Sequence, residues 1–227
     1  MIRVATYNVH GLVGRDGRRD PGRIAAVIRG LDCDAVGLQE VDSRGARTTL
    51  GELERRTGME AVAGSTIVES DGEYGNALLT TARILDLDRH DLTVQGREPR
   101  GAIEARLETP TESAFTMIVT HLGLKRRERH LQVERLLEIC GNERLRRPLV
   151  VAGDFNEWWP FGGLLGPLRS VLDPCPAVAT FPAHRPVLAL DRIWTALHGR
   201  RSRVRAVRTA LTRVASDHLP LIADLEL

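Results

Sequence analysis

Aromatic residues are scarce in this sequence, at 4% of 227 residues, which leaves few platforms on which single-stranded bases could stack. Cysteine is scarcer still. Cys33, Cys140 and Cys175 are an odd number, widely spaced and without a CxxC pair, so neither a disulfide framework nor a zinc site is expected. No run approaches the roughly 20 apolar residues of a membrane-spanning helix. The opening Met1-Ile2-Arg3-Val4-Ala5-Thr6 lacks the charged segment and long apolar stretch of a secretory signal, and the expected location is the cytoplasm. An excess of one charge is also missing. Lys+Arg 32 against Asp+Glu 30 leaves a net charge of +2, too little for the total to imply a polyanionic partner.

Positive charge is instead concentrated locally, at Lys125-Arg126-Arg127, at Arg144 with Arg146-Arg147, and at Arg200-Arg201 with Arg203 and Arg205. Each group suits either a polyanion or a solvated helix or strand face. A hydrophobic content of 42% is enough for a sizeable core. The pattern alternates strands with helices. Strands are expected at Ile2 to Asn8, Ala35 to Glu40, Ala77 to Thr80, Ala102 to Glu108, Phe115 to His121, Leu149 to Ala152, Leu190 to Trp194, Val204 to Val207 and Leu219 to Leu225. Pro21 to Leu31 predicts a helix with proline in its first turn, and a shorter helix around Leu53 stops at Gly58. The clearest helix is Arg126 to Leu145, where Val133, Leu136, Leu137 and Cys140 fall at i, i+3, i+4 and i+7. Periodicity alone supports α/β or α+β, with two packed sheets and outer helices a natural solution.

Chemistry-bearing residues recur where these apolar runs end. They are Tyr7-Asn8-Val9-His10, Leu38-Gln39-Glu40-Val41, Val119-Thr120-His121-Leu122, Gly153-Asp154-Phe155-Asn156, Leu190-Asp191-Arg192 and Ser216-Asp217-His218. An acid is costly inside a sheet but useful at its rim, and oxygen donors of this kind suit a hard divalent cation. Asp154 and Asn156, two apart on extended chain, point the same way and can converge on one atom. Because the site residues come from both ends of the sequence, the chain is expected to be one domain, residues 1–227, working as a monomer.

The ordered set resembles the endonuclease/exonuclease/phosphatase superfamily, from Ile2 to Leu225. The resemblance implies a four-layer sandwich of two mixed β-sheets with outer helices, and a Mg²⁺- or Mn²⁺-dependent hydrolase of phosphate esters. It places Glu40 at the metal, with Asn8 either supplying an amide oxygen or orienting Glu40, and Asp217 on the metal side. Asp154 acts on the attacking water, and Asn156 contacts the scissile phosphate. His218, partnered by Asp191, stabilises the phosphoryl charge, while His121 contacts phosphate or assists the leaving group. His10 is metal-side, substrate-side or neither. Arg100 resembles an arginine that binds a nonbridging oxygen, and Phe181, in Thr180-Phe181-Pro182, packs against a substrate group. Trp158 and Trp159 form a substrate lip or cover the core edge. The leading substrate class is DNA or RNA, the alternative a phospholipid or small phosphate ester of the sphingomyelinase or inositol-phosphatase type. A noncatalytic binding module is a third class, disfavoured because Asn8, Glu40, Asp154, Asn156, Asp191 and His218 are all present.

Overall fold

The computed structural model describes residues 1–44, 49–141, 147–159 and 163–227. One sheet has six strands in the order β10 (Ser202–Ala206), β11 (Leu221–Leu225), β1 (Ile2–Asn8), β2 (Ala35–Asp42), β4 (Gly72–Thr80) and β3 (Glu60–Glu69). The other has five, β5 (Arg83–Asp91), β6 (Gly101–Glu108), β7 (Ala114–His121), β8 (Leu149–Asp154) and β9 (Asp191–Ala196). The helices are α1 (Pro21–Leu31), α2 (Thr49–Thr57), α3 (Arg126–Cys140) and two single turns, α4 (Gly166–Arg169) and α5 (Thr212–Ala215). Each sheet contains one parallel pair, β1–β2 crossed over by α1 and β7–β8 crossed over by α3, as parallel strands require.

Successive side chains of a strand point to opposite faces, and the central strands bury both. Val4 of β1 and Val150 and Ala152 of β8 enter the core between the sheets. Ala5 and Tyr7 pack under Ile24, Val27 and Ile28 of α1, and Leu149 and Val151 under Val133 and Leu136 of α3. Double burial is why these strands read as continuous apolar runs. Three cores separate four layers, as the sequence leads one to expect. Asp20 caps α1 by accepting the Arg23 N–H at 2.9 Å, with Pro21 at the first position.

Several bounds differ from expectation. β3 and β5 were not anticipated, and β4 begins at Gly72 instead of Ala77. Both missing strands are edges, and both break the alternation with a register shift, at Ser65/Ile67 and at Ile84/Asp86. An edge strand packs fewer apolar side chains, and a bulge resets the period of two. α3 ends at Cys140, with the Gly141 N–H donating to Leu137 O. Gly141 of the expected helix thus falls beyond it, and residues 142–145, with Arg144 and Arg146 of the basic group, lie outside the described residues.

The outer end of the six-stranded sheet carries an ion network. Asp224 accepts Arg3 Nε at 2.6 Å and also pairs with Arg205. The Arg3 hydrogen bond, outweighing desolvation, holds the Asp224 carboxyl below its usual range. A depressed folded-state pKa gives stability that is present above the unfolded value, about 3.9, and lost as pH falls through the folded value. Asp224→Asn is therefore expected to cost at most about 1 kcal/mol at neutral pH. Thermal melts should show this difference disappear on acidification.

Candidate active site

Strand direction brings every expected strand-end residue to one end of the sandwich. Asn8 and Glu40 leave the parallel strands β1 and β2, His121 and Asp154 end the parallel strands β7 and β8, and Asp191 and the Asp217-His218 segment precede strands running the other way. Register completes the alignment, with His121 opposite Asp154 and Asp154 opposite Asp191. The approach of β7 and β8 depends on Gly153, where a Cβ would lie 2.0 Å from the Thr120 carbonyl oxygen.

Asp154 is the centre of the cluster and 1% exposed. Its Oδ1 accepts the Asn156 N–H at 2.9 Å. Its Oδ2 accepts Asn8 Nδ2 at 3.0 Å and lies 3.7 Å from His218 Nε2 and 3.8 Å from His121 Nε2. Burial, and then the facing charge of Asp191, raise the Asp154 pKa against the opposing pull of the imidazoles.

The two histidines differ. His218 Nδ1 donates to Asp191 Oδ2 at 2.8 Å, and Thr180 Oγ1 donates to the same oxygen. Burial would push His218 down, but Asp191, Asp154 and Asp217 outweigh it and raise the imidazole to about 10, so it is cationic at neutral pH. His121 is driven the other way, first by burial and further by the Arg100 charge, although Asp154 opposes the shift. A neutral ring fits its contact, since Asn156 Nδ2 donates to Leu122 O at 2.9 Å and meets His121 Nε2 at 3.0 Å.

Glu40 shows how the backbone re-aims a side chain. The β2–β4 register shifts between Leu38 and Val41, and Glu40 sits in that bulge at φ 57°, turned out of the alternation that buries Leu38. β2 accordingly runs on to Asp42 and does not end at Glu40 as expected. Asn156 takes a similar φ of 51°. Burial would raise Glu40, yet His10, the His121 charge and the Asn8 amide bring it to about 2. With His121 neutral, the downward direction rests on His10 and the Asn8 amide.

Glu40 Oε2 and Asp217 Oδ2 each lie 3.6 Å from His10 Nδ1, so two partly exposed carboxylates face one position. This donor chemistry fits a hard divalent cation with water and phosphate completing its shell. Asp154, Asp191 and His218 also bring ligand atoms within 4.8 Å of one another. There His218 Nδ1 and Asp191 Oδ2 hold each other, while Asp191 Oδ1 is buried without a hydrogen-bond partner among the described residues.

Three further expected residues are placed as follows. Asn8 directs its amide nitrogen to Glu40 Oε1 at 2.8 Å and to Asp154, while its Oδ1 accepts the His10 N–H at 3.0 Å. Its nitrogen thus orients Glu40, one of its two expected roles, and its oxygen keeps a second lone pair. Arg100 is buried and gives Nη1 to Glu98 at 2.6 Å, so its fork is already partly committed. Phe181 has its centroid 4.9 Å from that of His218 and packs on a site imidazole.

Other supporting residues carried no sequence signal of a role. Ser216 Oγ donates to Asn8 O at 2.8 Å and ties the C-terminal loop to β1. Arg129, 2% exposed, donates to Leu124 O at 2.7 Å and reaches Glu157 Oε2 at 3.4 Å. It holds the loop after His121 to the loop after Asn156.

A buried carboxylate thus lies between an amide and two imidazoles at the shared end of two packed sheets, and the family match makes the chain a hydrolase that acts on phosphate esters. The chain belongs to the Endonuclease/Exonuclease/phosphatase family, whose pattern matches residues 5–218. It is 30% identical over 247 residues to the uncharacterised protein YbhP of Escherichia coli (strain K12), covering 100% of this chain and 96% of YbhP. A functionally unknown protein from Enterococcus faecalis V583 has the same fold, at a TM-score of 0.82 and 19% identity over 99% of both chains. So does a mannosyl-6-phosphatase of Bacteroides thetaiotaomicron VPI-5482, at 0.78 and 17% over 100% of both.

Proposed function

We propose that this protein hydrolyses phosphodiesters by attack of an Asp154-bound water on phosphorus. The observation that carries the reading is the single Asp154 oxygen ringed by Asn8, His121 and His218, with Asp191 behind His218. A carboxylate with a raised pKa is a stronger base than one in water. It therefore suits alignment of the water and acceptance of its proton. The His218 imidazolium offers Nε2–H to the charge that builds on the phosphoryl oxygens, and Asp191 fixes its tautomer. Asn156 holds the neutral His121 in place. Glu40 and Asp217 would hold Mg²⁺ or Mn²⁺, which when bound polarises the phosphoryl group as a Lewis acid.

The arginine placement favours a phospholipid or small ester over a polynucleotide. β10 pairs Ser202 with Leu225 and Ala206 with Leu221, so Arg201 and Arg203 lie toward the sheet end opposite the site and Arg205 is paired with Asp224. A long polyanion spanning both basic groups would have to run the length of the sheet. The test is turnover, with Mg²⁺, of bis-p-nitrophenyl phosphate, plasmid DNA, RNA, phospholipid vesicles and mannose 6-phosphate. We expect chelator-sensitive cleavage of diesters, with phospholipid ahead of nucleic acid. Turnover confined to the monoester, or nucleic acid ahead of phospholipid, would refute the corresponding part.

A further inference from the structure

Most large apolar side chains of this chain are buried, but three exposed ones meet beside the active site. Leu124 is 54%, Trp158 47% and Trp159 67% exposed. All three line one groove of about 580 Å³, together with Lys125, Arg126, Arg129 and Glu157. Leu124 follows His121 by three residues, and Trp158 follows Asn156 by two. The groove is therefore built on the two loops that leave the catalytic strands β7 and β8. Its loops are fixed from below by the buried Arg129 and Glu157, the latter also accepting the Trp159 N–H at 2.9 Å.

Charge around this lip is one-sided. Lys125, Arg126 and Arg127 are exposed, and Arg126 and Arg127 continue with His130 into a neighbouring hollow of about 520 Å³. Beside Lys125 and Arg127 the acids Glu128 and Glu157 turn inward, while Glu134 pairs with His130 at 3.5 Å. Glu128 is buried and accepts Lys125 N and Gln132 Nε2, and Glu157 is turned inward to Arg129. Tryptophan rings favour the headgroup level of a bilayer, and lysine and arginine beside them favour anionic lipid. A bilayer interface accommodates leucine and tryptophan alike.

We propose that Leu124, Trp158 and Trp159, rimmed by Lys125, Arg126 and Arg127, form an interfacial docking surface for an anionic phospholipid bilayer. This rests on the phosphodiesterase reading and names its substrate source, because a docked lip sets the mouth of the cleft at the level of the lipid phosphates. Attachment is peripheral and reversible, combining shallow burial of apolar side chains with attraction of the rim.

The test is co-sedimentation with phosphatidylcholine vesicles, with and without phosphatidylglycerol, alongside tryptophan emission. Trp194 is 1% exposed, so a shift on binding reports Trp158 and Trp159. The wild type is expected to bind the anionic vesicles with a shift to shorter wavelength and to be released by salt. The Trp158→Ser/Trp159→Ser and Lys125→Glu/Arg127→Glu pairs should each lower partitioning by about tenfold or more. Hydrolysis of soluble bis-p-nitrophenyl phosphate should stay within about twofold. Wild-type indifference to both kinds of vesicle, or equal binding by both double variants, would overturn the proposal. So would binding of a single-stranded oligonucleotide in place of vesicles. Inertness of the folded wild type toward every ester would sink the phosphodiesterase reading instead, while sedimentation would still judge the docking surface.

Discussion

Asp154→Asn and His218→Ala are each expected to lower kcat by roughly 10² to 10⁴, with unequal effects on stability. Asp154 faces Asp191 across adjacent strands, and like charges directly opposite one another in a sheet repel. Replacing Asp154 by its neutral isostere removes the base and relieves that repulsion, but it also gives up one of the two hydrogen bonds accepted from Asn156 N–H and Asn8 Nδ2, so the melting temperature should change little. His218 is the buried partner of Asp191. Its removal leaves that carboxylate with Thr180 alone, at a cost of about 3 kcal/mol or more. Turnover of a soluble diester at saturation and thermal melts of the two variants check both halves. Near-wild-type kcat in either variant would remove that residue from the chemistry. A destabilised Asp154→Asn would mean that the carboxylate is chiefly structural.

Glu40→Gln is expected to weaken Mn²⁺ or Mg²⁺ binding by at least about 10- to 100-fold with little change in folding. Its carboxylate, at a pKa of about 2, is ionised throughout the neutral range. The amide of glutamine keeps an oxygen for the Asn8 hydrogen bond but carries no charge for the cation. Calorimetric titration with Mn²⁺ gives a readout independent of turnover, and exhaustive chelation of the wild type should abolish hydrolysis. Unchanged Mn²⁺ affinity in the variant, or full activity after chelation, would falsify the assignment of Glu40 to the metal. Asp217→Asn should show a smaller loss in the same titration, because Asp217 makes no contact with the Asn8 amide that orients Glu40.

The central strands and α1 and α3 were legible because double burial writes continuous apolar runs and a helix writes a 3.6-residue stripe. β3 and β5 were not, since edge strands with bulges carry neither mark. The chemistry of the site was legible too. Acids, amides and imidazoles at the ends of apolar runs are costly in a core and useful at its rim, and their order along the chain resembles one family.

The amino-acid sequence by itself determined which strands are buried on both faces, which residue types end them and the family to which they point. Only the tertiary structure decided the register that sets His121, Asp154 and Asp191 side by side and the bulge that turns Glu40 to the cleft. It also decided that Arg129 faces inward while Leu124, Trp158 and Trp159 face out. A period of two encodes which face of a strand is covered, but not which neighbour covers it or at what offset. Those choices rest on contacts between residues far apart in the chain, such as Ser216 with Asn8, 208 positions away, and no local pattern records them.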